Sequence, residues 1–95
     1  MIRNLERIDY SKEFLKQLKK APYEIKIAFT KRLKLFIDNP FSSQLNNHLL
    51  TGKYSGYRSI NINGDWRAVY SVSIDKQGNQ IIIFELLGTH SQLYK

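Results

Sequence analysis

A turn signal between two strand-like segments constrains the fold of this chain more than any other feature of its sequence. Residues 56–62 (GYRSINI) and residues 66–72 (WRAVYSV) have the β-branched and aromatic content typical of strands. Asn63-Gly64 lies between them and favours a tight hairpin, because both residues tolerate a positive φ angle. The sequence therefore predicts a hairpin over residues 56–72. Polar side chains suited to chemistry cluster around it: His48, Asn61, Asp65 and Arg67.

Two further segments are predicted to complete a sheet. Residues 80–87 (QIIIFELL) are almost wholly apolar, which is typical of a central strand that is buried on both faces, with helices behind it. Residues 2–8 have a mixed composition and are expected to form an edge strand. A turn over residues 73–79 is expected to reverse the chain at Gly78-Asn79, and residues 41–53 are expected to form a loop that carries His48.

Two helices are predicted between the edge strand and the hairpin. Ser11 is expected to cap the first helix, and Tyr10 to pack on Leu15 as a hydrophobic staple. Pro22 is expected to end that helix and to be the first residue of a second helix, which runs to about residue 37. Apolar residues recur at helical spacing in both: Phe14, Leu15 and Leu18, then Ile25, Ala28, Phe29, Leu33, Phe36 and Ile37. The lysines between them are expected to face solvent.

The order of these segments, β-α-α-β-β-β followed by a short tail, predicts an α+β fold. We expect an antiparallel sheet of about four strands, with the N-terminal αα-hairpin packed on one face. The chain of 95 residues has room for a single domain, residues 1–95. In the tail, Thr89 and Gln92 have the spacing of a capping box, so His90 is expected in the first turn of a very short helix.

Composition narrows the classes of function. There is no cysteine, which excludes disulfides and thiolate metal sites, and no apolar run long enough to span a bilayer. The N-terminus lacks the uninterrupted apolar stretch of a signal peptide, so a cytoplasmic protein without a membrane partner is expected. The net charge of +7 favours polyanionic partners such as RNA, DNA or an acidic protein segment. The lysines of the helices are equally typical of an ordinary solvated surface.

Three motifs resemble a known family when they are taken together. They are H-x-L-x-G at residues 48–52, G-D-W-R-x-x-Y at residues 64–70 and G-T-H-x-x-L-Y at residues 88–94. Their order and spacing resemble the RelE/ParE toxin superfamily, and within it the YafQ-like ribosome-dependent mRNA interferases. The resemblance covers essentially the whole chain and implies the RelE-like fold.

The resemblance also implies a function. Such a toxin belongs to a type II toxin–antitoxin pair, enters the ribosomal A site and cleaves mRNA without a metal or another cofactor. The ribose 2′-hydroxyl attacks the adjacent phosphate, which leaves a cyclic phosphate and a free 5′-hydroxyl. The implied partners are a cognate antitoxin, the ribosome and mRNA, with DNA bound only indirectly through the antitoxin complex. This chemistry requires a general base, a general acid and cationic groups for the phosphorane.

The resemblance assigns catalytic roles to four residues. His90 matches the histidine of the G-T-H motif and is expected to be the general acid, since imidazole exchanges protons near neutral pH. His48 and Asp65 are alternatives for the base, or for the group that orients it; ordinary roles as a loop residue and a turn residue compete with this. Arg67 matches an arginine that holds the scissile phosphate in the wider family, although a salt bridge on the sheet surface is the structural alternative.

Four further residues are candidates for substrate binding: Asn61, Arg58, Tyr94 and Trp66. Asn61 can hydrogen-bond a phosphate or ribose, and Arg58 can contact the RNA backbone or cover the sheet. Tyr94 can stack on a base or close the core, and stacking tolerates any base. Trp66 can stack as well, although packing on the sheet is the stronger interpretation. No spacing among the histidines and Asp65 resembles a metal-ligand motif.

Two positions depart from the YafQ-like pattern. The family carries another histidine on the first hairpin strand, where this chain has Asn61, and a basic residue shortly before the last histidine, where it has Leu86. Asparagine cannot transfer a proton, so the site has fewer proton-transferring and basic groups than the family pattern. These departures support one alternative, a catalytically decayed relative that only binds antitoxin or RNA. A second alternative, a ParE-like toxin that inhibits DNA gyrase by binding, would have the same fold.

Overall fold

The computed structural model describes residues 5–94 of the chain and the side chains of residues 7–94. This part of the chain forms five strands: β1 (Leu5–Tyr10), β2 (His48–Leu49), β3 (Arg58–Asn63), β4 (Trp66–Ile74) and β5 (Gln80–Thr89). It also forms the helices α1 (Lys12–Lys20), α2 (Tyr23–Asp38) and α3 (His90–Leu93). The α+β class and the helical hairpin are confirmed. No helix in the described range has the length and apolar character needed to cross a bilayer.

The sheet differs from the expected antiparallel meander in strand number and in the direction of one strand. The strand order is β1-β5-β4-β3-β2, and β1 runs parallel to β5 whereas the other pairs are antiparallel. The connection from β1 to β5 contains both long helices, and such a crossover is what permits parallel pairing. The additional strand is β2, which is only two residues long and lies within the segment expected to form a loop. The predicted edge position of the first strand is confirmed, although residues 2–4 lie outside the described range.

The start of α1 is fixed to the sheet by its capping residue. Ser11 Oγ accepts a hydrogen bond from the Phe14 N–H (3.0 Å) and donates one to the Glu85 carbonyl (2.8 Å). The predicted cap is therefore confirmed and also joins α1 to β5. The predicted staple is wrong, because the Tyr10 ring stacks on Phe14 and Phe84 while Leu15 is half exposed. Pro22 precedes α2 as its N-cap instead of being its first residue.

The core lies between the helices and one face of the sheet, and aromatic rings dominate it. Phe84 of β5 is fully buried at its centre, and its ring lies 5.5–5.7 Å from four others: Phe14, Phe29, Phe36 and Tyr70. The opposite face of β5 is only half buried at Ile81 and Ile83. The expectation of burial on both faces is therefore wrong for this part of β5, because both long helices pack on the same side of the sheet.

A second, smaller apolar cluster covers part of the other face. Leu50, Val69 and Leu93 are buried there, and partly buried side chains surround them: Tyr54, Tyr57, Leu86 and Tyr94. A bulge makes this possible, since the register shifts between Val69 and Tyr70 so that Phe84 and Leu87 both face the helices while Leu86 faces away. The cluster brings the loop after β2 and the helix α3 together on the face opposite α1 and α2.

The two turns of the meander contain fewer residues than the sequence predicted. Asn63 pairs with Trp66, so the hairpin loop consists of Gly64 and Asp65, and of the expected pair only Gly64 has a positive φ (53°). The predicted Asn63-Gly64 turn is thus displaced by one residue. In the next turn, Gly78 has φ 87°, and hydrogen bonds from the backbone N–H groups of Asn79 and Gln77 lower the pKa of the Asp75 carboxyl.

Candidate active site

A cleft of about 370 Å³ lies on the sheet face away from α1 and α2. Its lining contains four of the residues singled out in the sequence, His48, Arg67, His90 and Tyr94, together with Asn46, Leu50 and Thr51. These residues come from β2 and its flanking loops, from β4 and from α3. The cleft therefore assembles three sequence motifs that are far apart in the chain.

Strand pairing determines which side chains share this face. His48 pairs with Ser59, and Asn61 pairs with Arg67, so both pairs project to the same side of three neighbouring strands. Ser59 is fully buried, and neither its Oγ nor Asn61 Oδ1 has a hydrogen-bond partner among the described residues. Two polar atoms without partners thus lie on the sheet face from which the cleft residues His48 and Arg67 project.

The ring of His48 is held by a backbone contact. Its Nδ1 lies 2.8 Å from the Asn46 carbonyl oxygen. Because a carbonyl oxygen only accepts hydrogen bonds, Nδ1 must carry the proton, and the neutral ring then has its lone pair on Nε2. Asn46 is the one non-glycine residue in the described range with a positive φ (46°). Its left-handed backbone turns the carbonyl toward the histidine that follows two residues later.

His90 is fixed at the start of α3. Thr89 and Gln92 form the predicted capping box: the Thr89 side chain accepts from the Gln92 N–H, and the Gln92 side chain accepts from the Thr89 N–H. The backbone N–H of His90 donates to the Asp65 carbonyl at 3.0 Å. The imidazole is exposed, and its ring centroid lies 4.8 Å from that of Tyr94 in an edge-on arrangement. Backbone contacts on two sides therefore set the position of this side chain.

Arg67 provides the cationic group of the cleft. Its Nη1 donates to the carbonyl oxygens of Gly64 (2.8 Å) and Trp66 (3.1 Å). Within the described range, Nε and Nη2 make no hydrogen bond, which leaves three N–H groups of a planar fork for an anion. The proposed salt bridge on the sheet surface is not formed with any described carboxylate. The guanidinium is thus oriented by backbone and retains donors suited to a phosphate.

The structure does not bring every candidate into the cleft. Asp65 contributes its carbonyl oxygen to the position of His90, but its exposed side chain is not part of the cleft lining. Trp66 packs against the core on the helical side of the sheet. Arg58 also lies on that side, where its Nε donates to Asn47 Oδ1 at 2.9 Å and its guanidinium lies 5.3 Å from the Phe41 ring. Asn61 shares the face of the cleft through its pairing with Arg67 but is not part of the cleft lining.

The match to the YafQ toxin family, bacterial toxins of type II toxin–antitoxin systems, extends over residues 6–95. The chain belongs to this family. Crystal structures of Escherichia coli YafQ are similar to it: the toxin from strain BL21(DE3) is 28% identical, with a TM-score of 0.75, over 95% of this chain and all of that one. The toxin in the E. coli DinJ-YafQ toxin–antitoxin complex is 27% identical, with a TM-score of 0.73, over 97% of this chain and 99% of that one.

A metal-bound toxin from Helicobacter pylori is 30% identical to the chain, with a TM-score of 0.67, over 93% of this chain and 98% of the other. The YoeB/ParE toxin from Agrobacterium tumefaciens shares the fold, with a TM-score of 0.71 at 17% identity, over 90% of this chain and 99% of that one. No curated protein sequence gave a match to this chain. Among the side chains of residues 7–94, no group of three or more histidine, aspartate or glutamate residues could hold a metal ion.

The sequence did not single out the cleft residues Asn46, Leu50 and Thr51, nor Ser59, which pairs with the cleft residue His48. A signal existed for Asn46, because asparagine is enriched in the left-handed region and stands two residues before a histidine of interest. Ser59 could have been found only from its pairing with His48, which depends on a strand of two residues that no periodicity reveals.

A larger cleft, of about 530 Å³, lies between α2 and the β3 end of the hairpin. It contains no histidine, and its arginine, Arg32, already donates to the carbonyl oxygens of Ile62 (3.1 Å) and Gln44 (3.2 Å). Size alone would select this cleft, but the residues that the family motifs single out lie in the smaller one.

Replacing Arg58 with alanine should lower stability and leave the cleft intact. Arg58 holds Asn47, whose amide donates to Tyr70 Oη at 2.7 Å. Burial raises the pKa of Tyr70, while the contacts with Asn47 and Arg58 oppose that rise. Loss of the guanidinium leaves these groups incompletely paired, so the free energy of unfolding should fall by about 1–3 kcal/mol. Urea denaturation measures the loss, and unchanged ring-proton NMR signals of His48 and His90 would show that the cleft is retained.

Proposed function

We propose that this chain is a ribosome-dependent endoribonuclease that cleaves mRNA and is neutralised by a cognate antitoxin. The observation that carries the proposal is the convergence of two histidines, one oriented arginine and one tyrosine on a single cleft. Family membership supports the same reading. A protein that only bound gyrase would have no evident need for two histidines and a cation in one cleft.

In this proposal His48 is the general base. Its Nδ1 proton is held by the Asn46 carbonyl, so Nε2 has the lone pair that can accept the proton of a ribose 2′-hydroxyl. As that proton moves to Nε2, the 2′-oxygen forms a bond to phosphorus. The tautomer favours His48 over Asp65, whose side chain is not in the cleft lining.

His90 then acts as the general acid and Arg67 as the phosphate-binding group. The bond between phosphorus and the 5′-oxygen breaks, and protonated His90 gives its proton to that oxygen. The products are a 2′,3′-cyclic phosphate and a free 5′-hydroxyl, and the step uses no water molecule. The N–H groups on Arg67 Nε and Nη2 would stabilise the charge that develops on the phosphorane. Tyr94, edge-on to His90, limits the rotation of the acid.

The exposure of the reacting groups supports the proposed dependence on the ribosome. Both imidazoles are exposed, and the cleft is open to solvent. An attack in line with the leaving group needs a fixed RNA conformation. The ribosome holds mRNA in a defined path and would supply that alignment. The antitoxin would block the same basic surface with an acidic or amphipathic segment.

The test is a map of mRNA 5′ ends in cells that briefly express the wild-type chain or His90→Ala. We expect new ends within translated codons in the wild type only. Growth arrest without new ends would contradict the proposal and point to a gyrase-binding toxin. Neither arrest nor new ends, with folded protein in the cells, would identify a binding relative without activity, for which Asn61 and Leu86 are the evidence in the sequence.

A further inference from the structure

A second cleft, of about 410 Å³, lies beside the candidate active site on the same face of the sheet. It is lined by Lys53, Tyr54, Ser55, Tyr57, Glu85 and Leu86. None of these residues has a role in the chemistry proposed above. The cleft contains the three elements that bind a nucleotide without base pairing: aromatic rings, a cation and a hydrogen-bond acceptor.

A series of rings joins the two clefts. The centroid of His90 lies 4.8 Å from Tyr94, that of Tyr94 lies 6.0 Å from Tyr54, and that of Tyr54 lies 6.3 Å from Tyr57. Tyr94 lines the first cleft, and Tyr54 lines the second. The second cleft therefore begins one ring beyond the site of the proposed reaction, where the neighbouring nucleotide of a bound strand would lie.

Local sequence makes the pair of tyrosines a firm platform. Ser55 (φ −53°, ψ 132°) and Gly56 (φ 93°) have the angles of a type II turn, and the Tyr57 N–H donates to the Tyr54 carbonyl at 3.0 Å. The turn stacks the two rings, with 23° between their planes. Inserting a base between them would need about 7 Å, twice the ~3.5 Å contact distance of stacked atoms. A base would therefore stack against the closed pair.

Polar groups at the edges of the platform suit the rest of a nucleotide. Lys53 Nζ lies 5.4 Å from the Tyr54 ring centroid and is exposed, so it can contact a phosphate next to a stacked base. Glu85 Oε2 accepts a hydrogen bond from Ser71 Oγ at 2.7 Å, which fixes the carboxylate at the edge of the cleft. A fixed carboxylate accepts hydrogen bonds from base N–H groups and repels a phosphate. Its position thus favours an orientation with the base toward Glu85 and the phosphate toward Lys53.

We infer that this second cleft is a subsite for the base of the nucleotide adjacent to the scissile phosphate. The inference rests on the proposed function for the identity of the strand as RNA. The base stacks on Tyr54 and Tyr57, Lys53 binds the phosphate, and Glu85 accepts a hydrogen bond from the base edge. The subsite makes a contribution to binding that does not depend on the two histidines.

The experiment is NMR titration of the full chain with 2′-O-methylated adenine or cytosine trinucleotides, which lack the attacking hydroxyl and stay intact. We expect upfield shifts of the Tyr54 and Tyr57 ring protons together with shifts at His48 and His90. An abasic ribose-phosphate trimer should move the histidine signals and leave the tyrosine rings unchanged. Shifts confined to the histidines, or absent altogether, would overturn the subsite.

Two variants and two matched controls measure the contribution of the subsite to trinucleotide binding. Tyr57→Leu should raise the Kd about tenfold, as loss of one stacked base does, and Lys53→Gln about two- to fivefold. The controls Tyr23→Leu and Lys76→Gln lie at exposed positions outside the cleft lining, and neither should change the Kd. If Tyr57→Leu does not fold, the Kd of the Lys53→Gln variant still tests the subsite, because Lys53 is exposed. Equal Kd values for Lys53→Gln and Lys76→Gln would refute the subsite. Ring shifts without cleavage of ribosomal mRNA by the wild type would refute only the proposed function.

Discussion

Replacing His48 with alanine should lower the rate of mRNA cleavage on the ribosome by about 10²–10⁴-fold, the usual contribution of a general base. The substitution removes the imidazole whose Nδ1 proton is held by the Asn46 carbonyl, which leaves Nε2 free to accept a proton. Binding should change little, because His48 lies at the exposed edge of the sheet and contributes no phosphate-binding cation. Single-turnover cleavage of programmed ribosomes measures the rate, and ribosome binding measured separately gives the affinity.

Substitutions at Asn46 provide a control that leaves the imidazole in place. Asn46→Gly keeps the left-handed backbone at φ 46° and the carbonyl that holds Nδ1, so its cleavage rate should equal that of the wild type. Asn46→Val disfavours that backbone and should lower kcat without changing KM, with the folded state retained. Wild-type kcat in both Asn46→Val and His48→Ala would remove His48 from the mechanism.

Replacing Phe84 with alanine should lower the free energy of unfolding by about 3–5 kcal/mol. Phe84 is fully buried, and its ring contacts aromatic side chains from β1, both long helices and β4. A domain of this size has a total stability of about 5–14 kcal/mol, so the loss is a large part of it. Urea denaturation followed by Trp66 fluorescence measures the change.

Two companion variants make the Phe84 result interpretable. Phe84→Leu retains most of the buried volume and should fold with a smaller loss, which covers the case in which the alanine variant does not fold. Leu15→Ala, at a position that is 50% exposed, should lose less than about 1 kcal/mol. If Phe84→Ala and Leu15→Ala lower the free energy of unfolding equally, the Phe84 ring is not the centre of the core.

Features set by a few neighbouring residues were predictable from the sequence. The Ser11 cap, the Thr89–Gln92 capping box and the hairpin each depend on side chains within about four positions of one another. The family motifs extended this to the cleft, because they contain His48, Arg67 and His90. Local chemistry and motif spacing were sufficient for these elements.

Features set by distant pairing were not predictable in the same way. The parallel pairing of β1 with β5 joins residues about 75 positions apart, and nothing local to either strand specifies its direction. Bulges on β3 and β5 break the strict alternation of side chains, so counting by two misassigns the faces of the sheet. The side of the sheet on which Arg58 and Trp66 lie became clear only from their contacts.

The same pairing of β1 with β5 has a consequence for biosynthesis. The strand that carries the central aromatic residue is residues 80–89 of a 95-residue chain, and it pairs with both β1 and β4. During translation the earlier segments emerge with their apolar faces exposed and no partner to cover them. The core therefore cannot form until β5 has been synthesised and has left the ribosomal exit tunnel. Until then the segments before β5 form an incomplete sheet, which is the state that a chaperone or an antitoxin would meet first.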